Sequence, residues 1–334
     1  MVRPKVLITG AGGFLGKAVL NQLRNINSQF NENFGISHNF GYEIIGLVGK
    51  RQCDLTNQKQ VEHTLNELEP DYVIHLAATC GGIGINREQP GRFIYDNLSM
   101  GMNLIETARK YEKLKKFIMV GTVCAYPKFT PVPFKEEDLW NGYPEETNAP
   151  YGIAKKTLTE MLIAYNKQYG FQSTNLIPVN MYGPEDNFNP ASSHVIPALI
   201  LKVDKAIAKK EDFIELWGTG NASREFLYVE DCADAICKSL EIETTPHPIN
   251  IGTCSEIKIR NLVDTISEIM GYDGEIRYNS DFPDGQPRRC LDVNKSYRIL
   301  GFEAKTKLYE GLKNTISWYC KNKEKFVDYF DHIK

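Results

Sequence analysis

Gly10-Ala11-Gly12-Gly13-Phe14-Leu15-Gly16 decides the fold of this chain. It follows the apolar run Val6-Leu7-Ile8-Thr9 directly and opens an amphipathic stretch from Phe14 to Leu23. A first strand that turns through glycines into a helix is the phosphate corner of a dinucleotide-binding fold. The first glycine, Gly10, permits a tight turn. Gly12 and Gly13 let the backbone approach a pyrophosphate, and Gly16 permits close helix–sheet packing. Phe14 and Leu15 begin the helix, whose N-terminus offers N–H groups and a positive dipole end to an anion. The spacing is Gly-x-x-Gly-x-x-Gly, and Gly12 also supplies the shorter Gly-x-Gly. A plain strand–helix turn can carry as many glycines; the position after the first strand of an alternating pattern separates the two readings.

Outward from that turn, apolar runs at Val6–Thr9, Glu43–Val48, Tyr72–His75, Phe117–Val120 and Asn175–Val179 read as buried strands. Amphipathic stretches near Phe14–Leu23, Gln58–Leu68, Phe93–Tyr111 and Ala154–Tyr169 lie between them. The alternation predicts an α/β fold with a Rossmann-type doubly wound parallel sheet. The polar, Asn-rich segment Asn25–Phe40 reads as a surface insertion between the first helix and the second strand. From about Pro184 loops at Pro184–Ser193, Trp217–Arg224 and Asp281–Arg289 alternate with helices near Val195–Ala208, Glu230–Leu240, Ile259–Gly271 and Leu308–Lys321. This predicts a smaller C-terminal α+β substrate lobe. The expected division is a dinucleotide domain over 1–183, with segments returning at about 225–255, and a substrate lobe over most of 184–334.

The chain has 334 residues, 42% hydrophobic and 24% charged, enough for two lobes sharing a cleft. A net charge of −3 argues against a nucleic-acid or membrane-surface partner. No apolar run reaches membrane-spanning length. The N-terminal residues run straight into the first strand without the features of a signal peptide, so a cytoplasmic location is expected. Eight cysteines form no Cys-x-x-Cys pair and no zinc spacing. Most are expected to be small buried hydrophobes; Cys124 is the exception.

The end of the second strand chooses the cofactor. An acid there binds a ribose 2′-hydroxyl, whereas a basic residue accepts a 2′-phosphate. Ile44-Ile45-Gly46-Leu47-Val48 runs into Gly49-Lys50-Arg51, with no acid before Asp54, and this points to NADP(H). The competing reading makes Lys50 and Arg51 solvated loop charges. Asp54 and Leu55 are placed near the adenine, and Leu76, Ala77 and Ala78 under the cofactor. His75 reads as a packed core residue.

Tyr151-Gly152-Ile153-Ala154-Lys155 places a phenol and an ammonium four residues apart, on one face of a helix. The ammonium is expected to stabilise phenolate and bring the tyrosine down from ~10 toward working pH. Tyr151 is then a proton donor or acceptor at a sugar oxygen during hydride transfer, and Lys155 can also hold the nicotinamide ribose. Thr122, at the end of the strand Met119-Val120-Gly121-Thr122, offers a hydroxyl to the same oxygen.

These motifs resemble the extended short-chain dehydrogenase/reductases and, within them, the GDP-L-fucose synthase branch (3,5-epimerase/4-reductases). The resemblance spans nearly the whole chain. It is carried by His75-Leu76-Ala77-Ala78 with Gly81-Gly82-Ile83-Gly84, Cys124-Ala125-Tyr126-Pro127-Lys128 and Pro150–Lys155. Asn180-Met181-Tyr182-Gly183-Pro184 with Asp186-Asn187-Phe188, Ser193-His194-Val195-Ile196-Pro197, Trp217–Gly220 through Arg224–Leu227, and Pro283–Arg288 complete it. The resemblance implies that Cys124 and His194 act as base and acid of a C3/C5 epimerisation, ahead of NADPH reduction at C4. A C4 ketone acidifies both neighbouring carbons, a thiolate can take such a proton, and an imidazole can return one. It implies Pro178, Asn180, Met181 and His194 beside the cofactor. It places Gly82, Thr122, Cys124, Asn180, His194, Val195, Lys202, Trp217, Arg224, Asp284 and Arg288 around a GDP-linked 4-keto sugar. It also implies a homodimer formed through the helix of Tyr151 and the one at Phe93–Tyr111, with Leu158, Met161 and Leu162 as candidate contacts; monomer burial accounts for the same residues.

Thr122-Val123-Cys124-Ala125 departs from the branch's Ser-Ser-Cys-Ile, and Thr79-Cys80 replaces a pair that often includes lysine. These changes bear on the sugar more than on the reaction. They leave open a C4-reductase without epimerase activity, acting on a GDP-6-deoxy-4-keto-heptose or a dideoxy sugar. Lys50-Arg51 speaks against an NAD-retaining 4-epimerase. Val123-Cys124 lacks the acidic pair of a 4,6-dehydratase. A non-catalytic NADP(H) sensor would have no use for the Thr122/Tyr151/Lys155 set.

Overall fold

The structure, a computed structural model, describes residues 3–34, 41–281, 286–326 and 328. Its main sheet contains β1 (Lys5–Thr9), β2 (Glu43–Leu47), β3 (Tyr72–His75), β4 (Lys116–Val120), β5 (Ser173–Pro178) and a later strand, β9 (Thr245–Ile251). All six are parallel, in the order β2-β1-β3-β4-β5-β9. The apolar runs form strands because helices cover both faces of the sheet. Leu7, Val73, Phe117 and Met119 point into one core with Leu104 and Leu158. Their neighbours Val6, Ile8, Ile74 and Ile118 point into the other with Val19, Leu23 and Ile236.

The first face carries α2 (Gln58–Leu68), α4 (Pro90–Lys110) and α5 (Ala149–Tyr169); the second carries α1 (Phe14–Phe34) and α7 (Val229–Lys238). A short α3 (Ile83–Glu88) precedes α4. The strand order reverses between β1 and β3. The glycine turn therefore stands at the switch point, at the carboxyl ends of the strands, where open α/β sheets bind ligands.

After β5 the chain builds a second layer. β6 (Asn180–Tyr182), β8 (Ser223–Tyr228) and β10 (Glu256–Lys258) form a three-stranded sheet, and β7 (Phe213–Trp217) pairs with β11 (Glu275–Asn279). α6 (Val195–Lys209), α8 (Ile259–Met270) and α10 (Leu308–Lys321) surround a core of Tyr182, Phe188, Ile200, Leu262, Ile266 and Leu312. α9 (Asn294–Leu300) packs near β9. Phe188 stacks on Tyr319 with ring centroids 5.0 Å apart.

Several expectations are corrected. α1 does not stop near Leu23 but runs on to Phe34, through the first half of the Asn-rich segment. Asn27 ties it to β2, accepting from Tyr42 N at 2.8 Å and donating to Tyr42 O at 2.9 Å. Residues 35–40 lie outside the described residues. α4 starts earlier than Phe93, with Pro90 in its first turn, where no N–H is missed. Trp217 and Ser223–Arg224 belong to strands, so the loop between them is shorter than expected. Only Cys53, Cys232, Cys237 and Cys290 are buried; Cys80, Cys254 and Cys320 are exposed, Cys124 is half-buried, and all eight are free thiols. Leu158 and Leu162 are fully buried within the chain, so of the candidate contacts only Met161 is partly open.

Candidate functional site

The glycine turn fits a dinucleotide on geometry. Gly10 has φ +72°, a left-handed conformation, and a side chain there would stand 2.7 Å from Ala77 N. At Gly16 a Cβ would stand 2.2 Å from Gly10 O. The turn thus packs onto the end of β3 at Leu76–Ala77, with Ala78 next in the chain. α1 follows with no acid in its first turn to repel a phosphate. Val48 sits over Gly12, where a Cβ would approach its Cγ1 to 2.6 Å. His75 is 1% exposed and shares a 2.9 Å hydrogen bond with Thr9 Oγ1, the packed role expected of it.

Beyond β2, Lys50 and Arg51 are both exposed. Lys50 stands 3.8 Å from Asp54, while Arg51 has no ion pair among the described residues. Asp54 is itself committed to a turn: Oδ1 accepts from Thr56 N at 3.0 Å and Thr56 Oγ1 at 2.7 Å, and these bonds hold its carboxyl below the usual range. Leu55 behind it is buried. The arrangement leaves at least one guanidinium able to meet a 2′-phosphate.

Thr122, Cys124, Tyr151 and Lys155 converge at the ends of β4 and α5. Val123–Ala125 is a single 3-10 turn capped by Thr122, whose Oγ1 accepts from Cys124 N at 3.2 Å. That bond orients the hydroxyl so that its own proton can be donated. α5 packs directly on this turn, since a Cβ on Gly152 would lie 2.3 Å from Cys124 O. Tyr151, in the first turn of α5, hydrogen-bonds Thr122 and meets the ring of Phe93 edge-on, with centroids 6.4 Å apart. Lys155 is 3% exposed and donates to Val120 O at 3.0 Å.

The electrostatics correct one expectation. Tyr151 is pushed well above its ordinary value, chiefly by burial and further by the Cys80 and Cys124 thiols; the Thr122 bond only opposes this. Lys155 falls to about 8 because burial penalises its charge. With the chain's own groups, desolvation outweighs the ammonium's stabilisation of phenolate. Tyr151 is therefore a neutral phenol at working pH, the form that donates a proton.

Across the cleft, His194 precedes α6 and its side chain makes no capping bond, so helix capping does not account for it. The residue is exposed, yet the protein around its ring lowers its pKa by desolvation. Val195 opens α6 beside it. Gly82 touches the segment before His194, accepting no side chain because a Cβ would meet Ser193 O at 2.5 Å. Its N–H donates to Ser192 O at 2.9 Å. Asn97 clamps Thr79, accepting from its N–H at 3.2 Å and donating to its O at 2.8 Å, which fixes Cys80 beside it. Pro178 ends β5, and Asn180 and Met181, in β6, follow at the same rim.

The remaining substrate candidates line the second lobe. Trp217 is 61% exposed at the end of β7. Lys202 Nζ donates to Glu215 O at 2.7 Å on that same strand. Arg224 Nη1 donates to Ser223 O at 2.7 Å. Arg288 forks its guanidinium onto the Glu256 carboxylate of β10 and stays largely exposed. Asp284 lies outside the described residues. One residue that the motifs did not single out reaches the site: Arg289 Nη1 lies 3.6 Å from Cys124 Sγ. Asp186, from the motif after β6, is buried and has a carboxyl raised to about 7 by burial. A recess of about 590 Å³ lies elsewhere, at the amino ends of the strands between Tyr72, Lys116 and Leu240, away from every one of these groups.

Among the described residues no His, Cys, Asp and Glu cluster could hold a metal ion. None of the helices among them is long and apolar enough to cross a membrane. The turn, the switch point and the Thr–Tyr–Lys cluster define the class: a Rossmann-type fold with a dinucleotide corner beside a proton-donating set. The chain belongs to the NAD dependent epimerase/dehydratase family, whose model matches residues 6–252. It is 36% identical over 318 residues to a probable GDP-L-fucose synthase 1 of Oryza sativa, covering 95% of this chain and 92% of that one. The structure of a GDP-L-fucose synthetase from Naegleria fowleri bound to NADP aligns with TM-score 0.84 at 26% identity, over 97% of this chain and 96% of that one. A GDP-6-OMe-4-keto-L-xylo-heptose reductase from C. jejuni aligns with TM-score 0.83 at 28% identity, over 96% and 99%.

Proposed function

We propose that the protein is an NADPH-dependent enzyme that reduces a GDP-linked 4-keto-6-deoxy sugar at C4 after epimerising it at C3 and C5. One observation carries this reading: Thr122 and Cys124, on one turn, stand together with Tyr151 at the start of α5, which packs on that turn. A simple reductase needs the first two; the thiol beside them is what an epimerisation adds.

NADPH, when bound over the glycine turn, supplies the hydride. Gly10–Gly16 and the α1 N-terminus would hold its pyrophosphate, Lys50 and Arg51 its 2′-phosphate, and Lys155 its nicotinamide ribose. The chain's own groups handle the protons. Thr122 and Tyr151 donate hydrogen bonds to the sugar's O4, favouring the enolate as charge develops there. Cys124 takes the proton from the carbon beside the ketone, and His194 returns one from the opposite face. Tyr151, kept protonated by burial, gives its proton to O4 as the new hydroxyl forms. Residues 1–183, with segments returning at about 225–255, act as the cofactor domain. Most of 184–334 holds the sugar nucleotide through Val195, Lys202, Trp217, Arg224 and Arg288, with Asp284 on the adjoining segment and Asn180 reaching it from the end of the cofactor domain. The enzyme works in the cytoplasm as a homodimer.

A second reading, reduction without epimerisation, is favoured by Val123 and Ala125, buried on either side of Cys124 where the resembled branch carries Ser and Ile, and by the likeness to the heptose reductase. The test is NADPH oxidation with GDP-4-keto-6-deoxy-mannose. Tyr151→Phe should lower turnover by about a hundred- to ten-thousand-fold, the worth of a positioned proton donor, while still binding NADPH. Wild-type-like turnover in that variant would remove Tyr151 from the chemistry.

A further inference from the structure

The segment after β11 carries a buried cation whose role the reaction above does not assign. Arg289 is 9% exposed. Its Nε and Nη2 donate to Gln286 Oε1 at 3.2 and 3.0 Å, and its Nη1 donates to Cys124 Sγ at 3.6 Å. Gln286, itself 7% exposed, donates to Lys128 O at 2.9 Å. The chain's main path thus leads from Lys128, four residues beyond Cys124, through Gln286 and Arg289, back to the thiol. Arg289 O accepts from Glu225 N at 3.1 Å, which fixes the backbone of the segment against β8.

Among the described residues no carboxylate forms an ion pair with this guanidinium. Arg288, one residue earlier, has Glu256; Arg289 has a neutral amide and a sulfur. A buried cation without a counter-ion is costly, and the group beside it that can become an anion is the Cys124 thiol. Among the described residues, the titratable groups interacting with Cys124 are Tyr151 from α5 and Arg289 from this segment; Cys80 faces Tyr151 from the loop after β3. Tyr151 is neutral and Arg289 is positive, so the field at Sγ favours negative charge.

Resting on the epimerase reading, we propose that Arg289 is a positioning residue for Cys124: its guanidinium, aimed by Gln286, pairs with the sulfur and maintains it as the thiolate that accepts the C3 and C5 protons. In each transfer a proton passes from carbon to Sγ and the C–H electron pair moves into the enolate. The fork aims one N–H at sulfur, a task that a lysine performs only as a point charge.

The test uses the full-length protein and iodoacetamide, an uncharged alkylating agent, with the Cys124 peptide quantified by mass spectrometry between pH 6 and pH 10. Cys124→Ser assigns the signal. Arg289→Gln should slow Cys124 alkylation at pH 7 by about tenfold or more, with the deficit closing as pH approaches 10. Arg289→Lys should recover part of the rate, and NADPH fluorescence titration reports whether either variant still folds. Equal rates at pH 7, or a deficit constant at every pH, would overturn the proposal, the latter because it reports access rather than ionisation. An unchanged alkylation profile with a raised KM for the sugar nucleotide would make Arg289 a diphosphate contact instead. Alkylation requires no sugar, so failure of the proposed reaction leaves this outcome separately readable.

Discussion

Burial competes with pairing at Tyr151 and Lys155, and burial prevails at both. A Tyr-x-x-x-Lys spacing shows that phenol and ammonium share a helix face. It does not show how much protein surrounds them, and that sets the direction of both shifts. His75 makes the same point for stability. Burial lowers its pKa well below the ordinary value, so the folded chain keeps it neutral. The unfolded chain binds that proton at about pH 6.5, so below this the unfolded state holds more protons and stability falls as pH drops. Urea midpoints should therefore decline from pH 7 downward, with His75 contributing about 1.4 kcal/mol per pH unit until its folded pKa is reached. In His75→Gln that slope should be shallower; an unchanged slope would place the proton uptake elsewhere. The Arg289–Cys124 pairing was not legible in the sequence. Its partners are 165 residues apart, and the only local signal is a second arginine after Arg288.

The dinucleotide half was readable element by element because its signals are local. Apolar runs, the glycine turn and helical periodicity each fit within a few residues, and five of the six strands fall within two residues of their expected limits; β9, which joins the sheet from after α7, had no expected counterpart. The second lobe was not. β6 and β10 are three residues each, and their pairing with β8 is non-local, so neither gives a periodic signal. α1 was underread because its sequence turns polar and Asn-rich after Leu23, and the Asn27–Tyr42 bonds that tie it to β2 are non-local. The junction of α5 with the Val123–Ala125 turn is where one element sets the catalytic geometry. Gly152→Ala would force a methyl to 2.3 Å from Cys124 O, displacing the Tyr151 hydroxyl relative to the thiol. A loss of roughly 1–3 kcal/mol in unfolding free energy is expected for such overpacking. Turnover should fall further than that destabilisation explains. A variant with full turnover at normal stability would show that the close approach is not required.

For the whole molecule, α4 and α5 present the outer face expected to pair two copies. Tyr95 and Met102 are 64% and 48% exposed on α4, with Met161 partly open on α5. Met102→Glu should lower the sedimentation coefficient from dimer toward monomer, whereas a monomeric wild type would remove the proposed assembly. The most direct measurement is a single incubation of the protein with GDP-4-keto-6-deoxy-mannose and NADPH in D2O, read by NMR and mass spectrometry of the product. The account predicts a GDP-fucose product carrying deuterium at C3 and C5. A C4-reduced sugar with no label at either carbon would contradict the epimerase assignment of Cys124 and His194.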